Sequence, residues 1–425
     1  MQDGQLEFFH GEQAAELCPS TLQFLRHVEN FKEFGSKTET TNFPDPEIEL
    51  PVYINEFWTA KQRAAHSLHE ISYRACFKPQ LPAFFINQLT RPGDSIFDPF
   101  MGRGTTILEG ALLDRVTMGC DANPLSSILV KPRLSPPSYS QIEDRLNRID
   151  LSENSEIDNQ DLLTFYHPRT LSKICSLRTY LHQRKLDRKS DLVDDWIRMI
   201  ATNRLTGHSP GFFSVYTLPP NQATSIKAQQ RINKKRNQTP PERNIKGIIL
   251  KKSKSLLKDL DDIDLIKLKR NFKKSVLITG SCDKTPEIKD ASIDLIITSP
   301  PFLDIVNYQG DNWLRCWFNH IDSEAVSLWT IRRPEAWINA MTQVFLELKR
   351  VLKPGGHIAF EVGEVRGGKL RMETLAAPAA IASGLVPIFL LINDQEFTKT
   401  ANCWGVSNQK KGTNTNRILL LQKSH

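Results

Sequence analysis

Residues 95–121 place an apolar strand, a glycine-containing turn, a helix and a second strand in immediate succession. The spacing of apolar residues predicts a strand in SIFDPF (95–100), a helix in TTILEGALL (105–113) and a strand in VTMGCD (116–121). A further helix is predicted for FFINQLT (84–90), before the first strand. Together these elements form a βαβ unit, which belongs to a parallel sheet.

The alternation of strands and helices resumes at residue 275. Strands are predicted for SVLITGS (275–281), IDLIITS (293–299), HIAFEVGE (357–364) and NRILLLQ (416–422). A long amphipathic helix, EAWINAMTQVFLELKRVL (335–352), ends at the turn KPGG. The pattern predicts an α/β fold whose doubly wound, mostly parallel sheet carries helices on both faces. We assign residues 56–135 and 275–425 to this domain and residues 1–55 to a lead-in, in which a helix-prone start is followed by an irregular or extended stretch.

The chain between residues 136 and 274 has a different character. Apolar residues recur there at intervals of three and four, which is typical of helices. The two sets are Leu171, Ile174, Leu177 and Leu181, and Val193, Trp196, Ile197 and Ile200. A non-periodic loop follows at 206–222, and a basic helical stretch follows at 227–258. The region is therefore predicted to be a largely helical insertion in the α/β domain.

The basic stretch concentrates the positive charge of the chain. Residues 227–258 contain eleven Lys and Arg residues and one acid, a net charge of +10, so the remainder carries −3 of the total of +7. A local basic stretch on a nearly neutral body indicates a polyanionic partner. A solvated basic surface helix explains the same composition, and the charge run taken alone favours that interpretation.

Composition excludes several classes of protein. With 425 residues, 40% of them hydrophobic and 24% charged, the chain has the composition of a globular protein larger than one typical domain. No apolar run approaches the ~18 residues that a membrane helix needs, and the first residues lack the pattern of a secretion signal. The seven cysteines are scattered singly, without zinc-ligand spacing, so neither a disulfide framework nor a metal site is predicted. We expect a cytoplasmic protein.

The motif DPFMGRGTT (98–106) occupies the turn inside the βαβ unit. Gly102 and Gly104 let the backbone approach a ligand at the carboxyl edge of the sheet, where folds of this class bind ligands. Asp121 ends the next strand, seventeen positions after Gly104, and a carboxylate there can accept both hydroxyls of a ribose. These features indicate a nucleoside ligand. Because position 107 is isoleucine, the third glycine of the dinucleotide fingerprint is missing, which counts against a nicotinamide enzyme.

The motif TSPPF (298–302) lies directly after the apolar strand DLIIT. Its two prolines fix φ and remove two backbone donors, which leaves a stiff segment with its carbonyls at the strand end. The Ser299 hydroxyl and the Pro300 carbonyl form a pair of acceptors for an NH₂ group, and Phe302 offers an aromatic face for a planar ring. A Ser-Pro pair also begins many turns and helices without any chemical role. Its place at a strand end, in the same sheet as a ribose-type site, favours the functional interpretation.

These motifs resemble those of the amino-methylating DNA methyltransferases, enzymes that act on cytosine N4 or adenine N6. The segments HEISYRACFKPQLP (69–82), GSCD (280–283) and RVLKPGGHIAFEVGE (350–364) agree with the resemblance. It implies a Rossmann-like methyltransferase sheet, S-adenosyl-L-methionine as the cofactor and no metal. The residues to which it assigns cofactor contacts are Phe77, Lys78, Asp98, Phe100, Gly102, Gly104, Thr105, Asp121 and Asp283, and those to which it assigns catalysis are Ser299, Pro300, Pro301 and Phe302.

The same resemblance leads to a prediction of the target base. Adenine-modifying members usually have Asp or Asn where this chain has Ser299, so serine favours cytosine N4. The glycine turn precedes TSPPF, whereas many serine-type members have the opposite order, and adenine N6 therefore stays open as an alternative. A non-catalytic nucleic-acid-binding protein on this scaffold is a further alternative, and RNA is not distinguished from DNA. The favoured partners are double-stranded DNA and a separately encoded restriction endonuclease, in a restriction-modification system.

The insertion between the motifs is the expected target-recognition region. Lys234, Lys235 and Arg236 are predicted to contact phosphates. Groups suited to contacts with a DNA groove or with a flipped strand are His208, Phe212, Phe213, Tyr216 and Asn221. The two phenylalanines either serve that purpose or cap the insertion's own core. The target base is expected to leave the duplex, because its amino nitrogen is otherwise engaged in pairing.

Overall fold

The computed structural model describes residues 17–59, 65–73, 76–151, 159–218, 223–303, 308–326, 331–365, 370–394 and 415–424. The strands are β1 (Glu39–Asn42), β2 (Pro51–Asn55), β3 (Ser95–Asp98), β4 (Val116–Asp121), β5 (Val276–Thr279), β6 (Ile293–Thr298), β7 (Leu352–Val362), β8 (Glu364–Val365), β9 (Leu370–Arg371), β10 (Val386–Asp394) and β11 (Thr415–Gln422). The helices are α1 (Pro19–Glu29), α2 (Gln80–Leu89), α3 (Thr105–Leu112), α4 (Pro124–Leu134), α5 (Tyr139–Arg148), α6 (Pro168–Leu186), α7 (Leu192–Arg204), α8 (Ile226–Arg236), α9 (Ile245–Leu257), α10 (Asp262–Phe272), α11 (Tyr308–Phe318), α12 (Pro334–Val351) and α13 (Glu373–Ala382).

Nine strands form one sheet in the order β1-β2-β10-β11-β7-β6-β3-β4-β5. The five strands from β7 to β5 in this order are parallel, and β2 is parallel to β10, whereas β11 is antiparallel to both of its neighbours. The chain order reverses between β3 and β6, so the carboxyl ends of these two strands flank the crevice where doubly wound sheets bind ligands. The predicted mostly parallel, doubly wound α/β fold is confirmed.

The central strands are apolar on both sides, which is why helices cover both faces of the sheet. Successive residues of a strand point to opposite faces. Ile296 of β6 packs on one face in a cluster that includes Phe345 of α12. Its neighbours Leu295 and Ile297 pack on the other face in a cluster that includes Phe85 of α2.

The elements predicted around the two motifs are confirmed, and the differences lie elsewhere. β7 begins at Leu352, so the KPGG segment predicted as a turn belongs to a strand. Part of the stretch predicted as a lead-in joins the sheet, because β2 pairs with β10 through contacts such as Val52 with Leu390. Neither β10 nor α13 is predicted from the sequence.

Between β4 and β5 the described residues form helices α4 to α10 and add no strand to the sheet. Trp196 of α7 and Phe213 of the following loop share one apolar cluster with Ile107 of α3. The predicted helical insertion thus packs directly on the helix that follows the glycine turn. In the ranges that the structure describes, no helix has the length and apolar character needed to cross a membrane.

Candidate functional site

A cleft lies at the carboxyl ends of the parallel strands. Its volume is about 880 Å³, including the part that is open to solvent. Residues of both sequence motifs line it, including Gly102, Asp121, Ser299 and Pro301. The motifs meet because β3 and β6 are neighbours in the sheet. Sheet topology therefore brings together the predicted nucleoside site and the predicted acceptors for an amino group.

Asp98 connects the two motifs at the base of the cleft. Its Oδ1 accepts hydrogen bonds from the Thr298 hydroxyl at 2.7 Å and from the Phe100 backbone N–H at 3.1 Å. The side chain is only 2% exposed, and this burial raises the pKa of Asp98 to about 7. Asp98 thus holds the end of β3 against the end of β6, where TSPPF begins.

Asp121 holds the glycine turn in place. Its two carboxylate oxygens accept the backbone N–H groups of Gly102 and Asn123, each at 2.8 Å. Removal from solvent raises the pKa of this carboxyl group, although the two hydrogen bonds oppose the shift. A carboxylate offers about four lone-pair sites, so Asp121 retains acceptor capacity for a ligand.

The backbone at Gly102 borders the cleft without a side chain. Gly102 has φ +49°, a left-handed conformation that side chains rarely adopt. A Cβ atom at this position would lie among cleft-lining residues, with Cε1 of Tyr73 nearest at 3.8 Å. The room that glycine leaves, the aromatic rings of Phe77 and Phe100 and the Asp121 carboxylate together fit a nucleoside group.

Ser299 has a buried acidic partner that sequence analysis missed. Thr298 of β6 is paired with Phe360 of β7, so the next residues, Ser299 and Glu361, lie side by side at the strand ends. The Ser299 hydroxyl is close enough to the Glu361 carboxyl group to favour its ionised form, and Oε1 of Glu361 accepts from Nδ2 of Asn416 at 2.6 Å. Burial raises the pKa of Glu361 to about 7. A hydroxyl carries one proton, so a Ser299 that donates it to Glu361 keeps its lone pairs for a ligand.

The two prolines and Phe302 take different places. Pro301 lines the cleft, and its carbonyl accepts a hydrogen bond from Nε1 of Trp337 at 3.1 Å. Pro300 is buried beside it. The ring of Phe302, expected to face a planar base, is outside the cleft lining, because it fills the space that Gly363 leaves. A Cβ atom at Gly363 would lie 2.8 Å from Cε2 of that ring.

Most of the predicted cofactor residues line the cleft, and three do not. Phe77, Asp98, Phe100, Gly102, Thr105 and Asp121 belong to the lining, whereas Lys78, Gly104 and Asp283 lie outside it. Gly104 faces Val130 of α4, and Asp283 is exposed just beyond the lining. Lining residues that sequence analysis did not single out for the cofactor are Tyr73, Cys76, Pro99, Met101, Ala122, Asn123, Gly280, Ser281 and Cys282.

Several of these missed residues carry a signal in the sequence. Tyr73 and Cys76 lie inside the segment HEISYRACFKPQLP, and Cys282 directly precedes Asp283. Cys282 is both buried and part of the lining. For Glu361 the signal is a single acid in the otherwise apolar stretch IAFEV. In the ranges described above, no cluster of three or more His, Cys, Asp or Glu side chains could hold a metal ion.

The basic stretch of the insertion divides into two helices with different surroundings. On α9, Nζ of Lys246 donates to the Ile149 carbonyl at 2.8 Å, and Lys252 lies 3.6 Å from the Glu70 carboxylate. On α8, the side chains of Lys234, Lys235 and Arg236 are exposed. Lys251 and Lys254 of α9 are exposed as well, so the interpretation as a polyanion surface applies to the end of α8 and to only part of the basic residues of α9.

The loop at 206–218 has a packed interior. Phe213 is fully buried and Phe212 is 6% exposed, with the Arg204 guanidinium 4.1 Å from the centre of the Phe212 ring. Phe213 therefore belongs to the insertion's core, and Phe212 packs against Gly207 beside it. His208 is exposed. The Arg236 guanidinium lies 3.9 Å from the centre of the Tyr216 ring, so Tyr216 makes a cation–π contact with a basic residue of α8. Asn221 lies outside the described residues.

Known proteins resemble this chain in sequence. The chain matches the family described as DNA methylase over residues 25–126. It is 24% identical to the Type II methyltransferase M.BsoBI of Geobacillus stearothermophilus over 68% of this chain and 59% of the relative. It is also 24% identical to the Type II methyltransferase M.MvaI of Kocuria varians over 59% of this chain and 56% of the relative. The chain thus spans little more than half the length of either protein.

The solved structures that resemble the chain include the putative DNA modification methylase TTHA0409 of Thermus thermophilus, complexed with S-adenosyl-L-methionine. Identity to that chain is 21%, the TM-score is 0.21, and the similarity covers 32% of this chain and 50% of the other.

Proposed function

We propose that the chain transfers a methyl group from S-adenosyl-L-methionine to N4 of cytosine in a specific duplex sequence, because it resembles the amino-methylating DNA methyltransferases in its motifs and in the relatives that it matches. The observation that carries the proposal is that one cleft is lined by Gly102 of the glycine turn, by Asp121 at the end of β4 and by Ser299. The serine at position 299 favours cytosine N4 over adenine N6 in the resemblance to the family. We further propose that the protein is the modification half of a restriction-modification system in the cytoplasm.

The cleft has the groups that S-adenosyl-L-methionine requires. Bound there, the cofactor supplies an electrophilic methyl group on a sulfonium centre. Asp121 would accept the ribose hydroxyls with the lone pairs that its two backbone bonds leave free. The absence of a side chain at Gly102 lets the backbone approach the ligand, and Phe77 and Phe100 supply apolar walls.

Ser299 would act on the amino group of the target base. The lone pair of that nitrogen is delocalised into the ring, so an acceptor on its proton must favour the localised, pyramidal state. A hydrogen bond donated by the Ser299 hydroxyl to the neighbouring Glu361 carboxylate would orient the Ser299 lone pairs for this purpose. The Pro300 carbonyl is the proposed second acceptor, and Trp337 holds the adjoining Pro301 carbonyl in place.

Mass spectrometry of nucleosides tests the proposed reaction. The purified protein is incubated with S-adenosyl-L-methionine carrying an isotopically labelled methyl group and with genomic DNA from a host that lacks modification. Labelled N4-methylcytosine is the expected product. Labelled N6-methyladenine would select the alternative within the family, and an absence of label in the presence of bound cofactor would favour a non-catalytic protein.

Substitution of Ser299 by alanine tests its role directly. Loss of one hydrogen bond made in the transition state costs about 1–3 kcal/mol, so kcat should fall roughly 10- to 100-fold. DNA affinity should stay unchanged. The matched control is Ser292→Ala, at the other end of β6, where the hydroxyl donates to the Lys289 carbonyl. If Ser299→Ala turns over like Ser292→Ala, the acceptor must be another group.

The insertion, residues 136–274, is proposed as the target-recognition region. Lys234, Lys235 and Arg236 form an exposed cationic end of α8, which suits phosphate contacts. The loop before α8 is joined to α11, the helix after TSPPF, by a hydrogen bond from the Ala223 N–H to the Asp311 carbonyl at 2.8 Å. DNA held by α8 would thus be held next to the element that follows the proposed catalytic motif.

A salt titration tests these phosphate contacts. Changing Lys234, Lys235 and Arg236 to alanine should lower the slope of log K against log salt by about 2.7, which is about 0.9 per contact. Affinity should fall alike for cognate and random duplexes, and the methylated sequence should stay the same. The control removes three exposed lysines from the region of α10 and the turn into β5, Lys269, Lys273 and Lys274. Equal slopes in the two variants would show that the α8 cations are only a solvated surface.

A further inference from the structure

One side of the cofactor cleft is built by a segment that lies between the sheet domain and the insertion. We name residues 66–73 the wall segment, because its last residue, Tyr73, lines the cleft. On the sheet side, the Ile71 carbonyl accepts from Nη1 of Arg103 at 2.8 Å, within the glycine turn. Nε2 of His69 lies 2.8 Å from the Glu109 carboxylate of α3. These contacts attach the wall segment to the elements that form the cleft.

The insertion attaches to the same segment through several contacts, and two of them matter most for the cleft. The Ser67 hydroxyl donates to the Leu256 carbonyl of α9 at 2.8 Å. At the end nearer the cleft, Asn203 of α7 binds both sides of Ser72: its Nδ2 donates to the Ser72 carbonyl at 2.9 Å, and its Oδ1 accepts the Ser72 N–H at 3.3 Å. The Ser72 carbonyl also accepts from Nη2 of Arg315 at 3.1 Å. The backbone of Ser72 is therefore satisfied by the insertion and by α11.

We propose that Asn203 is a positioning residue that sets the place of Tyr73 in the cofactor cleft. Two hydrogen bonds from one amide fix the peptide groups on either side of Ser72, and Tyr73 is the next residue. Asn203 is only 3% exposed, so if its two hydrogen bonds are lost, water cannot replace them and the Ser72 peptide groups are left without these partners. The Tyr73 hydroxyl accepts from Nδ2 of Asn123, which is itself part of the lining.

The consequence is that the insertion contributes to cofactor binding without touching the cofactor. A displaced Tyr73 would open the cleft beside Gly102, where a Cβ atom would have Tyr73 as its nearest neighbour. The inference rests on the proposed function, because it takes S-adenosyl-L-methionine as the ligand of the cleft. It adds that the proposed target-recognition region and the cofactor site share one structural element.

Binding of S-adenosylhomocysteine, which has no methyl group to transfer, tests the inference by calorimetric titration. Asn203→Ala should weaken binding about tenfold. This is the change in affinity expected when the net contribution of one hydrogen bond is lost. In steady-state assays the KM for S-adenosyl-L-methionine should rise by a similar factor, with kcat at saturation nearly unchanged.

The matched control is Asn271→Ala. Asn271 is also a buried asparagine of the insertion that bonds the sheet domain through both amide atoms, to the Thr117 hydroxyl and the Arg115 carbonyl. It lies at the amino end of β4, away from the cleft. Its removal should reduce the melting temperature without changing affinity for S-adenosylhomocysteine. Equal affinities in the two variants, whether lowered or not, would overturn the positioning role of Asn203.

A second variant keeps the test decisive if Asn203→Ala does not fold. Arg315→Lys retains the charge but removes both the guanidinium bond to the Ser72 carbonyl and the guanidinium 5.6 Å from the centre of the Tyr73 ring, so it should also weaken binding of S-adenosylhomocysteine. Wild-type affinity in a folded Arg315→Lys variant would contradict the inference. Failure of the wild-type chain to bind S-adenosylhomocysteine would instead contradict the proposed function, and the inference with it.

Discussion

Replacing Gly104 by alanine should destabilise the protein through two separable effects. Gly104 has φ +74°, and an L-residue in this left-handed conformation costs about 1–2 kcal/mol. An added Cβ would also clash with Cγ2 of Val130, a residue that is 1% exposed. Overpacking of this kind costs about 1–3 kcal/mol, and the branched Val130 has little rotamer freedom to escape. The free energy of unfolding should therefore fall by about 2–5 kcal/mol.

Urea denaturation followed by fluorescence measures this loss against a matched control. Gly35 has φ +90°, and a Cβ atom added there would have no other atom within 4 Å, so Gly35→Ala reports the conformational effect alone. Val130→Ala in the Gly104→Ala background should recover part of the steric loss, giving a favourable coupling in the double-mutant cycle. If Gly104→Ala is no less stable than Gly35→Ala, close packing against Val130 is not what requires glycine at this turn.

Asp121→Ala should lower affinity for S-adenosylhomocysteine and also loosen the turn, because it leaves the Gly102 and Asn123 N–H groups without their acceptor, at a cost of about 1–3 kcal/mol. Calorimetry and thermal melting measure the two effects, and unchanged affinity would remove Asp121 from the site. Ionised Glu361 can only accept hydrogen bonds and so orients the Ser299 proton toward itself, whereas protonated Glu361 can donate to Ser299 instead. Because burial raises the pKa of Glu361 to about 7, kcat should rise as pH increases through that value. Glu361→Gln should flatten the pH profile, and an unaltered profile would exclude this role.

The sequence is sufficient for the site's two motifs because each depends on local properties. Strand and helix periods are visible in SIFDPF and TTILEGALL, and glycine marks a turn that only a residue tolerant of positive φ can make, as the angles at Gly102 and Gly104 show. The exposure of the basic residues of α8 is likewise predictable, because burying unpaired charged side chains in an apolar core costs too much free energy.

The sequence is insufficient wherever a side chain's role depends on what packs against it. Phe302 is expected to face a base, but the absence of a side chain at Gly363 gives its ring a packed position outside the cleft lining. Glu361 escapes sequence analysis, because its partner Ser299 is on another strand and comes beside it only through the pairing of β6 with β7. Asn203 is one polar residue in an amphipathic helix, and nothing near it in sequence points to Ser72.

By itself, the sequence determined the βαβ unit, the alternation that requires a doubly wound sheet, the two chemical motifs and the location of the basic stretch. Tertiary structure decided that β3 and β6 are neighbours, that β1 and β2 extend the sheet and that the insertion binds the wall segment. The physical reason is the range of the interactions. Turn conformation and hydrophobic period act over a few residues, whereas Thr298 reaches Asp98 across 200 positions only after the strands between them have found their order in the sheet.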